Sequence, residues 1–299
     1  TDEVTIAGRV SAAIDVVANS GLSSGQIAAD LTLRDQTLVQ AQTQIDQMAA
    51  TLAASLSDRT MAGTAFTGPP AGYSIETANI LPGNTIDLTC SNGTTKQQIQ
   101  IVNVTDSGAL PLRNAANASP KVIGVDFSLG ISSVASQLNA ALGGLGLSFS
   151  NPSGSALKVV GTGPTVVTSA STTTTQQSLA SGSPQLPLFT DGNALYTGQI
   201  TAAGLQMTGL AGRIQVNPAV LTNPSALSVY SASPATAAGD NTRSRFLFTQ
   251  LTSSTFNYSS TTGIGSAQQP FNGTISNYLS QFLTQQSNAA TLATNLQQG

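Results

Sequence analysis

The segment from Gln26 to Arg59 constrains the fold most. Leu31, Leu38, Ile45 and Leu52 recur every seventh residue, and Ile27, Ala41, Met48 and Leu56 fall on or beside the same line. Apolar residues at this spacing form one stripe along an α-helix. Ser24 or Gly25 can start the helix, and Gly63 stops it. At 1.5 Å per residue, ~34 residues make a rod ~50 Å long. Gln36, Gln40, Gln42, Thr43, Gln44 and Gln47 fill much of the other face, which is expected to meet solvent.

The segment from Thr274 to Gln298 repeats the pattern. Ile275, Leu279, Phe282, Ala289, Ala293 and Leu296 recur by threes and fours, and Thr274 or Asn272 can cap the start. Ala289, Ala290 and Ala293 would let a neighbouring helix come close. Each stripe is too narrow to hold a helix alone, so the two are expected to pack together, with Leu38, Ile45 and Leu52 facing Leu279, Phe282 and Ala289. Shorter amphipathic stretches run through Val10 to Val17 and Arg243 to Leu251.

The middle of the chain has another texture. Residues 67–183 are rich in Ser, Thr, Gly and Asn. Ile86-Asp-Leu88 and Ile99-Gln-Ile101 alternate on either side of Asn92-Gly93, a hairpin signal. Val122 to Phe127 reads as a strand, and Ser132 to Leu142 as a short helix ended by Gly143-Gly144. Leu145 to Phe149 and Ala156 to Val160 flank Asn151-Pro-Ser-Gly154 as a second hairpin. Ser169 to Ser183, nearly all Ser, Thr, Ala and Gln, reads as a linker or an edge strand. The expected fold class is therefore α+β. An elongated helical bundle, built from residues 1–66 and 184–299, carries an inserted β-rich domain at 67–183.

Composition excludes several kinds of function. Charged residues are 8% of the 299, the net charge is −3, and the basic residues are scattered. Such a surface offers no footprint for a nucleic-acid backbone. No apolar run reaches the ~20 residues a membrane helix needs. Cys90 is the one cysteine and there is no histidine, so neither a disulfide nor a zinc site can be built from those residues. Cys90 lies in an alternating segment and reads as a buried structural thiol. The chain opens on Thr1-Asp2-Glu3 and stops at Gln298-Gly299 within a helical pattern, which reads as a piece of a longer protein.

One catalytic-looking motif is present. Gly21-Leu-Ser23-Ser-Gly25 matches the nucleophile elbow of serine hydrolases. An elbow needs a preceding strand and a base, and Ile14 to Asn19 suits a helix end, with no histidine available. Glu76, Asp87, Asp106 and Asp126 are dispersed and form no calcium loop. Five Asn-x-Ser/Thr triplets begin at Asn92, Asn103, Asn117, Asn257 and Asn272, as expected by chance in such a chain. Phe246, Phe248, Phe271 and Phe282 read as core. No catalytic, cofactor-binding or metal-binding residue is expected.

Four segments carry a resemblance. They are Leu31-Thr-Leu-Arg-Asp35 with Gln36 to Ala50, Ser183 to Gly192 with Tyr196-Thr-Gly198, Thr208 to Pro218 with Asn223-Pro224, and Gly239 to Leu251. Gly263-Ile-Gly265 and the final Gln- and Ala-rich helix continue the series. In this order and spacing the chain resembles the hook-associated proteins of the FlgK type, in their α-proteobacterial branch. The resemblance implies a structural, non-enzymatic protein of the bacterial flagellum, extracellular, at the junction of hook and filament. It implies other copies of itself in a ring, the hook protein and the neighbouring junction protein as partners, with an export chaperone for the full-length chain. Nucleic acid and membrane are not among the expected partners. Other readings are another flagellar axial protein, whether filament or neighbouring junction subunit, and an adhesin-like module whose β-rich part binds a surface ligand.

Overall fold

A computed structural model describes residues 5–6, 14–15, 25–112, 119–266 and 269–298. The chain divides into two compact units, Thr1–Met48 with Ser254–Gly299, and Ala49–Ser253. The division falls inside a helix.

The first unit begins with β1 (Thr5–Ile6) paired to β2 (Ile14–Asp15). Next come α1 (Gln26–Thr32), a π-helical segment (Leu33–Thr37) and α2 (Leu38–Ser57), whose first half belongs to this unit. Gln26 is thus the helix start that the sequence predicts, with Gly25 ahead of it at φ 87°.

The second unit is built mainly of strands. They are β3 (Asp58–Ala62), β4 (Thr64–Phe66), β5 (Gly72–Glu76), β6 (Thr85–Ser91), β7 (Lys96–Asn103) and β8 (Lys121–Val125). After α3 (Ile131–Leu142) follow β9 (Leu147–Ser150), β10 (Ala156–Gly161) and β11 (Val166–Thr175). One sheet has the order β4-β5-β10-β9 and the other β3-β11-β6-β7-β8, antiparallel except for β7 with β8. Burial alternates along β6 and β10, as period two requires. Ile75, Ile86, Ile99, Ile101, Leu138 and Leu157 are fully buried in the one core that both sheets share with α3. Each such side chain contributes ~1.5–3 kcal/mol by leaving water.

The two expected hairpins form. Asn92 closes the β6–β7 turn by accepting the backbone N–H groups of Thr94 and Thr95 at its Oδ1. Asn151 closes the β9–β10 turn by donating to the carbonyls of Gly154 and Ala156. The segment from Ser169, expected as a linker or an edge strand, is as far as Thr175 part of β11, and β11 is an inner strand between β3 and β6. Its threonines are β-branched and suit a strand, and Thr172, Thr174 and Thr175 are buried.

Residues 184–253 hold only short elements. These are β12 (Phe189–Asp191), β13 (Ala194–Leu195), β14 (Ile200–Thr201), β15 (Gly204–Leu205), β16 (Ile214–Val216), α4 (Pro218–Thr222) and α5 (Thr242–Thr252). The first unit then resumes with β17 (Phe256–Asn257), β18 (Asn272–Gly273) and α6 (Ile275–Gln298).

The expected elongated helical bundle from both chain ends is therefore corrected. The described residues form a mixed, strand-rich fold, and α6 packs within the first unit against α1 and the first half of α2. Two physical reasons stand out. Pro and Gly punctuate 184–239 too often for long helices. The second half of α2 does not meet another long helix: Ala49, Ala50 and Ala53 pack with Tyr196 and Leu210. The facing surfaces differ too. Leu38 is 61% exposed and Leu279 is 39% exposed. The π segment just before Leu38 shifts the phase of the side chains that follow it.

Candidate functional site

Three places concentrate buried polar chemistry. In the first unit, Gln44 is fully buried rather than solvent-facing. Its Nε2 donates to the Thr262 carbonyl at 2.8 Å and to Oε1 of Gln285, while Gln286 Nε2 donates to its Oε1 at 2.9 Å. Gln40 also donates to the Thr262 carbonyl, and Gln285 to that of Gly263. Gly263 has φ 73°, and a Cβ there would collide with Gln40 Nε2. Beside this network Tyr258 stacks on Tyr278 with ring centroids 4.0 Å apart. The Tyr278 hydroxyl donates to the Gln44 carbonyl.

In the second unit, Arg243 is fully buried. It donates to six backbone carbonyls, those of Leu179, Ser183, Pro184, Gln185, Ala226 and Val229, at 2.7–3.1 Å. Burial lowers its pKa to about 10, which still leaves it charged at neutral pH. Arg243 lies in the stretch read as a short amphipathic helix, and it anchors loops. Nearby, Arg213 pairs with Asp191 at 2.7 Å.

The third place joins Asp58, Asn84 and Thr175, also in the second unit. Asp58 opens β3 directly after α2, and the sheet register sets it opposite Thr175, the last residue of β11. Asn84 stands one residue before β6. The Thr175 hydroxyl donates to Asp58 Oδ1 at 2.7 Å. The Asn84 side-chain amide donates to the Thr175 hydroxyl at 2.9 Å. Asn84 Oδ1 accepts the backbone N–H of Leu81 at 2.9 Å and that of Thr175 at 3.2 Å. Asn84 and Thr175 are each 3% exposed. Ser57 Oγ lies 3.0 Å from Asp58 Oδ1. Burial pushes the Asp58 carboxyl up to about 6, against the opposing effect of the Thr175 and Ser57 hydroxyls. Tyr196 is pushed up by its own burial and then by the charges of Asp58 and Asp191.

The residues singled out in the sequence do not converge. Ser23 lies outside the described residues, as do Asn117 and most of Val10 to Val17. Cys90 is a buried free thiol, raised by burial. Asp106 and Asp126 each accept a backbone N–H at the start of a single 3-10 turn, Asp87 bonds Gln100 and Thr85 within its sheet, and Glu76 accepts from Thr77 and Ala78. Among the described residues no group of three His, Cys, Asp or Glu is placed to hold a metal ion. No described helix is long and apolar enough to cross a membrane. A cavity of about 340 Å³ borders Arg59 and one of about 460 Å³ borders Cys90, each with a single titratable lining residue. Sequence reasoning passed over Asp58, Asn84 and Thr175, because their relation exists only through sheet register.

No protein-family model, curated protein or solved structure matches the chain.

Proposed function

We propose that the chain is a structural component of the bacterial flagellum, acting outside the cell at the junction of hook and filament. The observation that carries this reading is how the resemblance-bearing segments meet. In the first unit, the helix from Leu31 to Ala50 contributes Gln44, which bonds the turn at Thr262-Gly263 and the final helix at Gln285 and Gln286. In the second unit, Arg243 of the Gly239 to Leu251 segment holds the carbonyls of Ser183, Pro184 and Gln185. Arg213 of the Thr208 to Pro218 segment pairs with Asp191 of the Ser183 to Gly192 segment. The residues that carry the resemblance thus make scaffold contacts with one another.

The helix pair of the first unit also leaves Ile27, Leu38, Val39, Leu279, Leu283 and Leu292 exposed. Unpaired apolar side chains of this kind suit a subunit that is completed by assembly. In this reading the partners are further copies in a ring, the hook protein and the neighbouring junction protein, and the role is mechanical. The test is deletion of the coding region in the source bacterium, followed by electron microscopy. Hooks lacking filaments, restored by the parent gene, are expected. Normal filaments on the deletion strain would refute the assignment.

A further inference from the structure

We propose that the Thr175 hydroxyl and the Asn84 side-chain amide condense into an intramolecular ester once the second unit has folded, with Asp58 as the base. The three parts of an acyl transfer are already in contact. The nucleophile is Thr175 Oγ1, hydrogen-bonded to the carboxylate that can take its proton. The electrophile is Asn84 Cγ, whose own nitrogen touches the nucleophile. Asn84 Oδ1, the atom on which negative charge develops, already receives two backbone N–H groups, from Leu81 and Thr175. Two fixed donors on that oxygen are the arrangement that stabilises a tetrahedral intermediate.

The atoms balance without any other reactant. Side-chain torsion carries Oγ1 from the Nδ2 edge of the amide onto the face of Cγ, while Oδ1 stays anchored. The Oγ1–Cγ bond forms as Asp58 takes the hydroxyl proton. Collapse breaks the Cγ–Nδ2 bond, Asp58 returns the proton to the departing nitrogen, and ammonia leaves. Asp58 is regenerated. The burial of Asn84 and Thr175 strengthens the electrostatics and keeps water from the product.

The surroundings set the pH response. The acidic groups coupled to this centre are Asp58, Tyr196 and, through Tyr196, Asp191, which is paired with Arg213. Arg59 follows Asp58 on the strand and is exposed. With its carboxyl pushed up to about 6, Asp58 is in its base form at neutral pH, and the condensation is expected to quicken as pH rises through that value. The link joins positions 91 residues apart, tying the end of β11 to the entry of β6 in a chain that has no cysteine pair. This inference is independent of the flagellar reading.

The test is mass spectrometry of the full chain, purified folded and held at pH 8. A chain lighter by one ammonia, about 17 Da, is expected. Succinimide formation at an asparagine loses the same mass, so the position of the link decides. Trypsin cutting after Arg59, Lys96, Lys158 and Arg213 places Asn84 in peptide 60–96 and Thr175 in peptide 159–213. The two peptides are expected as one branched species that hydroxylamine splits. Thr175→Ser should keep the link and Thr175→Val should abolish it. Asp58→Asn should slow its appearance by about 100-fold or more. Separate peptides from the folded parent chain would overturn the proposal, as would a link that survives Thr175→Val.

Discussion

The two units bury opposite chemistries. The sandwich of the second unit is held by aliphatic side chains from two sheets and α3, with Ile86, Ile101, Leu138 and Leu157 fully buried. The first unit has at its centre a glutamine, a threonine and two stacked tyrosines. Ile264 is buried with them and Met48, Phe256, Phe271 and Phe282 pack around it half-buried, while Leu38, Leu283 and Leu292 are all more than half exposed. Aliphatic cores tolerate small shifts at modest cost, whereas a buried amide is stable only in the arrangement that satisfies it. The difference implies that the sandwich supplies strength and the glutamine network fixes the register of α2 against α6.

This contrast can be broken by measurement. The largest effect is expected in the sandwich, where Leu157→Ala leaves a cavity in a close-packed core. A loss of ~2–5 kcal/mol is expected in urea unfolding. A loss below 1 kcal/mol would mean the core collapses around the gap.

A slightly smaller effect is expected from Asp58. Its carboxyl stands near 6 in the folded chain against an ordinary 3.8. A raised carboxyl favours the folded state fully at pH values below 3.8, and this stabilisation is lost as pH rises through about 6. Two pKa units correspond to ~3 kcal/mol. Stability of the parent relative to Asp58→Asn should fall by about that amount between pH 3.5 and 7.5. A pH-independent difference would place the carboxyl in water.

In the first unit, Gln44→Ala removes one of the two side-chain donors of the Thr262 carbonyl and one partner each of Gln285 and Gln286. Unsatisfied buried groups of this kind cost ~1–3 kcal/mol. Hydrogen exchange should quicken in α6 and at Thr262-Gly263. Unchanged exchange would show that water replaces the amide without loss.

The smallest effect is the sharpest test of the helix pair. The heptad pattern places Leu38 on the buried stripe, yet it is 61% exposed. Leu38→Ala should therefore change stability by less than ~0.5 kcal/mol. A loss above 2 kcal/mol in thermal unfolding would restore the stripe as the packing surface.

Legibility in the sequence followed the range of each interaction. The hairpins at Asn92-Gly93 and Asn151 to Gly154 were readable because turn chemistry and period-two alternation act over a few residues. Helix α3 and the start at Gln26 were readable for the same reason. Strand β11 read only as a linker or an edge strand, because Ser and Thr repeats do not show that partners on both sides will satisfy their backbone groups. The Asp58, Asn84 and Thr175 cluster was equally silent: no motif spaces residues 58, 84 and 175 in a line.

Local properties, turn residues and side-chain period, were enough to place the start of α1 at Gln26, the hairpins β6–β7 and β9–β10, and α3. Tertiary structure alone decided which face of the first half of α2 is buried. The seven-residue stripe allowed Leu38 inside and Gln44 outside, and the fold did the reverse. The reason is that a stripe records only which side chains prefer to leave water. The π segment before Leu38 resets the phase of the helix, and the Thr262 carbonyl, more than two hundred residues away, draws Gln40 and Gln44 toward it as donors.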